Sequence, residues 1–471
     1  MSDEQQSMDL FGDMHPYNKL FKVFSELPET GLDDEEVLKE VAYMSEEENK
    51  KWQGGQCSGT MYHGGMEHYA FLNKVFSMFS SINILQRDLC PSGTKFEAEV
   101  LAMVGKMLHG EEVSKVNRLD EEAGAITSGG TESIYNAMFV YREWGRAQKD
   151  ITAPEVVAPA TIHPAHLKAA HYLGMKVIRV PVNADFEADV EAMRAQITPN
   201  TVALAGSAGT YPNGVVDPIG KLSDLALEYK LGLHVDGCLG GFILPWIEKL
   251  GYDVPVFDFR LPGVTSISCD THKYGYALKG TSTINFRNKD LRRYMFFASE
   301  DWSGGVYASP TVQGSRSTGL SAAMWAAMVS MGEAGYLKAA RAIMDTADKM
   351  RLGIARIPEL RIMGKSTFLI SLTSDVVNPY FVNDYLEKQG WRMNGCQNPP
   401  GFHFCITLPQ TQPGIAERFV KDLADGVKFA KDPPYEVPRT GFLYGLGASS
   451  DGREMLRQGL KGYVEASYEY E

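Results

Sequence analysis

Six cysteines in 471 residues, Cys57, Cys90, Cys238, Cys269, Cys396 and Cys405, lie scattered, with no close CxxC pair and no His/Cys cluster at zinc spacing. That spacing suits neither a disulfide framework nor a structural zinc site, so they read as reduced, mostly buried thiols and no metal centre is expected. Long apolar runs are missing too: no stretch of about 18 apolar residues occurs, and a membrane-spanning helix is not supported. Basic residues fall short of acidic ones, 46 Lys plus Arg against 59 Asp plus Glu, for a formal net charge of −13. A broad basic footprint for nucleic acid is thereby unsupported, while a local basic pocket for one phosphate stays compatible. Residues 1–10 are acidic and polar, without the basic start and apolar core of a signal peptide, which points to the cytoplasm.

What is present is the composition of an ordinary globular enzyme, 44% hydrophobic and 22% charged. Residues 1–59 are charged and helix-like, with Asp33, Asp34 and two glutamates opening a run at residues 38–44, and read as an N-terminal arm. From Ala123 onward short apolar strands alternate with amphipathic helices: residues 124–127, 155–158, 176–182, 201–205, 232–235 and 264–268. Such alternation predicts an α/β fold with a large, mostly parallel sheet covered by helices on both faces, within a domain over residues 60–319. From about Leu320 the pattern changes to long helices, such as residues 335–352, and then to strands near residues 367–372 and 403–408. This predicts a smaller C-terminal α/β domain over residues 320–471.

Chemistry-bearing residues fall at the predicted strand ends, where open α/β sheets bind ligands. Asp270, Thr271, His272 and Lys273 lie between an apolar run and the stretch 274–286, which places a lysine where lysine is normally excluded. A buried amine loses its proton readily, the property a Schiff-base lysine needs, although a solvated lysine at a strand end has the same local pattern. Residues 127–133, TSGGTES, follow the first strand and open a helix. Glycines there let backbone approach a ligand and free helix amides bind phosphate, while the same residues also suit a plain helix cap with Thr131 as N-cap. Asp236 ends a buried strand and needs a cation or donors, which a protonated pyridine nitrogen would supply. His163, opening a helix after the second strand, either projects over the same cleft or serves as a cap or core residue. A phosphate cradle, an aromatic face, an acid and a lysine on four strand ends together describe a pyridoxal phosphate pocket.

The residues also resemble a known family closely. SCDTHKYGYALKG from Ser268, DWSGGVYASPTVQGSR from Asp301, TSGGTES from Thr127, HVDGCLGGF from His234, SGTMY from Ser58 and FHFCITL from Phe402 lie in the order found in sphingosine-1-phosphate lyases, of the group II pyridoxal phosphate-dependent decarboxylase superfamily. The resemblance implies the fold-type I (aspartate aminotransferase-like) architecture and a homodimer with active sites shared at the subunit interface. It implies that Lys273 joins the cofactor, that His272 neighbours its phosphate, and that Gly130 and Thr131 hold this phosphate with Ser315 of the other subunit. His163 would stack on the pyridine ring and Asp236 would pair with its nitrogen. Tyr62, Tyr211 and Lys279 match positions around the substrate and the breaking bond, with Tyr62 and Tyr211 equally able to be packing aromatics. The implied reaction cleaves a phosphorylated long-chain base to a long-chain aldehyde and phosphoethanolamine. The chain resembles the soluble bacterial type of the family.

Three departures bear on the substrate. Where the family reads SNPLHPD, residues 81–88 read SINILQRD: Asn83 is kept, Gln86 replaces the histidine, and Arg87 offers a positive charge. Leu278 stands in place of a proline before Lys279, and Gly237 in place of an alanine, which would remove a methyl packed beside the cofactor. Gln86 and Arg87 keep a second reading open, decarboxylation of an amino acid with Arg87 or Lys279 facing its carboxylate. The substrate is accordingly an amine phosphate or an amino acid. A non-enzymatic partner protein is disfavoured by the retained Lys273, Asp236, His163 and phosphate loop.

Overall fold

The computed structural model describes residues 13–441 and 450–470, so the acidic residues 1–10 and residues 442–449 of the expected C-terminal domain lie outside the described residues. Strands β1 Ala123–Thr127, β2 Glu155–Pro159, β3 Lys176–Val180, β4 Thr201–Ser207, β5 Gly232–Asp236, β6 Ser266–Cys269 and β7 Ser282–Phe286 form one seven-stranded sheet in the order β1-β7-β6-β5-β4-β2-β3. Every residue of β1, β4, β5, β6 and β7 is buried. That is the burial of a sheet covered on both faces, which is why these strands read as continuous runs instead of alternating ones. Neighbours from β3 through β6 pair in parallel, and β7 runs antiparallel to both β6 and β1. The carboxyl ends of β1, β2, β4, β5 and β6 therefore share one edge of the sheet, the edge that carries the site.

Helix α1, Asp34–Gln53, starts where the acidic signal predicts: Asp33 is its N-cap and accepts a hydrogen bond from Glu35 N at 2.8 Å. No residue of α1 is buried. Helices α2 Met66–Phe79, α3 Pro91–Met107, α4 Gly130–Lys149 and α5 Ala165–Leu173 precede the long α6, Thr318–Ile354. Sequence patterning places a helix at 335–352 and a boundary near 320, but α6 runs through both and is interrupted at Gly332, which takes φ 56. Its first half packs on α2 and α3, with Phe76 against Gly319 and Phe96 against Trp325, and its end meets Val420 of α7, Ile415–Lys431.

A hairpin of β8 Phe297–Trp302 and β9 Gly305–Ser309 precedes α6. Strands β10 Arg361–Ile362, β11 Leu369–Thr373, β12 Asn394–Cys396 and β13 Gly401–Cys405 form a second, antiparallel sheet in the order β10-β11-β13-β12. The strand expected to reach residue 408 stops at Cys405, because Thr407 and Gln410 close a capping box on a short 3-10 turn containing Pro409.

Candidate active site

At the strand-end edge lies a cavity of about 340 Å³. Seven of the residues expected to act there line it: Gly130 and Thr131 after β1, His163 after β2, Tyr211 after β4, Asp236 at the end of β5, and His272 and Lys273 after β6. Helix α4 begins at Gly130 with Gly129 as N-cap at φ 156 and no side-chain cap, so Thr131 sits inside the first turn and is not the N-cap. A left-handed backbone that side chains rarely adopt makes Gly129 the cap and leaves the first-turn amides without a side-chain acceptor. A methyl on Gly130 would stand 2.7 Å from Cys238 Sγ and 2.8 Å from Asp270 Oδ2, so only glycine lets the loop run this close to the cavity floor.

Lys273 Nζ lies 3.0 Å from Asp270 Oδ2, and Asp270, 2% exposed, also accepts a hydrogen bond from Ser282 Oγ at 2.6 Å. Burial by itself favours the neutral amine, but Asp270 outweighs it and the Lys273 pKa stands above the ordinary lysine value. The expectation that burial alone makes this amine give up its proton is therefore corrected: an acid three residues earlier holds it charged. His272 Nε2 is 3.7 Å from the same carboxylate, while its buried Nδ1 has no hydrogen-bond partner.

Burial would raise the Asp236 carboxyl, but His166, His163, His234 and Lys273 overcome this and hold it down at about 2. The amide of Cys238 donates to Asp236 Oδ1 at 3.1 Å. Sequence reasoning passed over His166 and His234. His166 is fully buried one helical turn beyond His163, with its Nδ1 3.1 Å from the His163 carbonyl, and His234 lies two residues before Asp236, facing Ser266 Oγ at 2.8 Å. Their spacing from His163 and Asp236 was the available signal.

The remaining expected residues stand off the cavity. Tyr62 is buried, its hydroxyl near Cys405 Sγ and its ring 5.0 Å from that of Tyr274. Lys279 donates from Nζ to the carbonyls of Thr60 (2.9 Å) and His272 (3.2 Å), and lies 5.1 Å from the Tyr62 ring. Desolvation and the charge of Lys273 push the Lys279 ammonium down to about 8. Ser315 accepts from Asn83 Nδ2 at 2.9 Å and lines an adjoining cavity of about 240 Å³ that shares Ser128 with the first.

Two sequence expectations are corrected. Arg87 does not reach the cavity of Lys273: its Nη2 pairs with Glu97 at 2.9 Å, and Glu97, nearly buried, also holds Arg316 Nη1 at 2.8 Å. A methyl at Gly237 would not pack beside a cofactor, because it would face the Ser268 carbonyl at 2.8 Å and Ile267, away from the cavity lining. Gln86 is exposed.

The donor set fits pyridoxal phosphate. An uncapped helix start and an orphaned buried His272 Nδ1 suit a phosphate, an ionised buried Asp236 suits a pyridinium nitrogen, and Lys273 supplies the amine. Among the described residues no group of three or more His, Cys, Asp or Glu is arranged to hold a metal, and no helix is long and apolar enough to cross a membrane.

Two buried neutral histidines each contribute stability that acid removes. His234 and His403 are held by burial at about 3 and about 4, below the ordinary value of 6.5. Depressed folded values contribute stability that is fully present above pH 6.5 and lost as pH falls toward 3. At pH 5 each costs about 2 kcal/mol. Glu122 and Asp217, raised by burial to about 8 and about 7, contribute in the opposite direction, so the test is a difference: the urea-unfolding stability of the cofactor-free wild type relative to His234→Gln/His403→Gln should fall by about 4 kcal/mol between pH 7.5 and pH 5, and a difference that does not change with pH would contradict these environments.

Comparison with known proteins agrees with this geometry. The pyridoxal-dependent decarboxylase conserved domain matches residues 18–369. A sphingosine-1-phosphate lyase of Dictyostelium discoideum is 42% identical over 443 residues, covering 93% of this chain and 81% of the relative. One from Oryza sativa subsp. japonica is 42% identical over 448 residues, covering 94% and 82%. The solved sphingosine-1-phosphate lyase of Burkholderia pseudomallei superposes with a TM-score of 0.89 at 47% identity, covering 95% of this chain and 99% of that one. The seven-stranded sheet is thus that of the fold-type I pyridoxal phosphate enzymes. With such identity along nearly its whole length, the chain belongs to the sphingosine-1-phosphate lyases, a branch of the pyridoxal-dependent decarboxylase family.

Proposed function

We propose that this chain is a pyridoxal phosphate-dependent carbon–carbon lyase that cleaves a phosphorylated long-chain base between its second and third carbons, giving a long-chain aldehyde and phosphoethanolamine. One observation carries the reading: Lys273, Asp236, His163 and the amides at Gly130 and Thr131 converge on one cavity with Tyr211 at its wall. The alternative, an amino-acid decarboxylase, finds less support, because neither Arg87, paired with Glu97, nor Lys279, whose Nζ donates to two backbone carbonyls, lines the cavity of Lys273.

When bound, pyridoxal phosphate supplies an aldehyde for the substrate amine and a ring that takes up the electron pair of the breaking bond. Lys273 Nζ would be the amine that holds this aldehyde. Asp236, ionised at any neutral pH, keeps a proton on the ring nitrogen. His163 would pack against the ring, and the amides at Gly130 and Thr131, with His272, would hold the phosphate. Tyr211, Tyr62 and Lys279 are the groups we assign to the proton of the substrate's 3-hydroxyl. Ser315, which lines the adjoining cavity, is assigned on the family resemblance to the phosphate of a partner chain, and the active unit we propose is a homodimer. Six free cysteines support a reducing compartment, the cytoplasm. We divide the chain into an arm over residues 1–59, a large domain over 60–319 and a small domain over 320–471; the seven-stranded and four-stranded sheets support the last two, and α6 bridges the boundary between them.

Mass spectrometry of products from sphinganine-1-phosphate tests the proposal. Phosphoethanolamine and a long-chain aldehyde are expected. Carbon dioxide from an amino acid, with no phosphoethanolamine, would overturn it.

A further inference from the structure

Of the motifs that point to this family, Phe402–Leu408 has no part in the cavity described so far, yet one of its residues reaches the site through a single intermediary. His403 on β13 stands directly opposite Asn394 on β12, so the two side chains share a face. The His403 ring is fully buried, with Nδ1 3.2 Å from the Pro212 carbonyl and Nε2 3.1 Å from the Asn394 amide. Burial holds this histidine neutral, so it carries one ring proton. A carbonyl oxygen only accepts, and Cys396 Sγ, 3.7 Å from Nδ1, has the same Pro212 carbonyl at 3.6 Å to take its own S–H, which assigns the ring proton to Nδ1 and leaves Nε2 a bare acceptor. The Asn394 atom facing it must then be the amide nitrogen, and the second N–H of the same nitrogen meets the Tyr211 hydroxyl oxygen at 2.8 Å.

That order of donors fixes Tyr211 at the cavity. The Tyr211 ring is also met edge-on by His403 at 4.9 Å and by His163 at 6.0 Å, while Tyr211 and His163 both line the cofactor cavity. We infer that Asn394 and His403 are positioning residues: through a Pro212–His403–Asn394 relay the small sheet presents a fixed N–H to the Tyr211 oxygen and sets this tyrosine as the proton-transfer group of the site. An N–H donated to a phenol oxygen favours the phenolate, the form that takes a proton from a substrate hydroxyl. The other assigned groups are tied elsewhere: the Tyr62 hydroxyl lies among buried side chains, and Lys279 Nζ donates to two backbone carbonyls. Neither Asn394 nor His403 touches the reacting atoms, so neither is a catalytic residue. The role of Tyr211 rests on the lyase reading above, whereas the relay itself does not.

The test uses Asn394→Asp, which keeps the shape of asparagine and removes both N–H donors, beside Asn394→Ala. In cofactor-loaded enzyme acting on sphinganine-1-phosphate, both variants should lose about tenfold to a hundredfold in kcat with KM within about twofold, and the ascending limb of the pH profile should move to higher pH. The visible absorbance of bound cofactor should be unchanged. Full activity of Asn394→Asp beside a weakened Asn394→Ala would mean that Asn394 only fills space, and would overturn the inference. A second readout needs no turnover: nitrogen-15 NMR of histidine-labelled, cofactor-free protein, with the His403 signal identified by its loss in His403→Gln. A protonated Nδ1 and an unprotonated Nε2 whose shift moves in Asn394→Ala are expected, and a proton on Nε2 would overturn the relay. Wild-type protein that gives this NMR result but does not cleave the substrate would sink the lyase reading while upholding the relay.

Discussion

Lys273→Ala is expected to abolish turnover, by about a thousandfold or more, and to remove the visible absorbance of the bound cofactor. The same change carries a structural cost. Asp270 is 2% exposed and would keep Ser282 Oγ as its close donor once the Lys273 ammonium at 3.0 Å is gone. Leaving a buried carboxylate without its cation costs about 3 kcal/mol, which lowers the melting temperature of the cofactor-free protein. The double variant Lys273→Ala/Asp270→Asn should recover that stability and none of the activity. Thermal unfolding beside an activity assay separates the two effects. A single variant that melts like wild type would show that Asp270 does not depend on Lys273, and one that turns over would remove Lys273 from the centre of the chemistry.

Asp236→Asn is expected to reduce turnover by about a hundredfold to a thousandfold with the cofactor still attached. Asparagine can still accept from the Cys238 amide, so the backbone at the end of β5 has no reason to move, and what disappears is the charge. In the acid range where it titrates, that charge is held by His166, His163, His234 and Lys273 against the penalty of burial. With its folded pKa at about 2, below the ordinary 3.8, Asp236 contributes stability that is complete above pH 3.8 and lost as pH falls toward 2. Its contribution is about 2 kcal/mol, so stability of the wild type relative to Asp236→Asn should narrow by that amount across the window. Activity of the variant within a few-fold of wild type would mean that the carboxylate does not govern the ring nitrogen.

The strand ends were the legible part of this chain. Continuous apolar runs placed β1, β2, β5 and β6 within about two residues, and Asp236, His163 and Lys273 follow directly from where those runs stop. The insertion of β7 between β1 and β6 was not legible, since strand order depends on which edges pair and not on any local pattern. Partners were harder still. The Asp270–Lys273 contact depends on a turn that folds four consecutive residues back on themselves. Glu97, which ties up Arg87, lies on a helix ten residues away. Asn394 reaches Tyr211 from across the chain, on a strand of three residues, too short to leave a period. Tyr62 and Lys279 entered through family resemblance alone, and both sit outside the cavity that the strand ends enclose.

We propose that one cavity, built around Lys273, holds the cofactor and does the chemistry. Reducing the cofactor-loaded protein with borohydride and mapping its peptides by mass spectrometry tests this most directly. A pyridoxyl adduct is expected on the peptide containing Lys273, none on Lys279, and none in Lys273→Ala. Label on Lys279 or on any other lysine, with Lys273 unmodified, would contradict it.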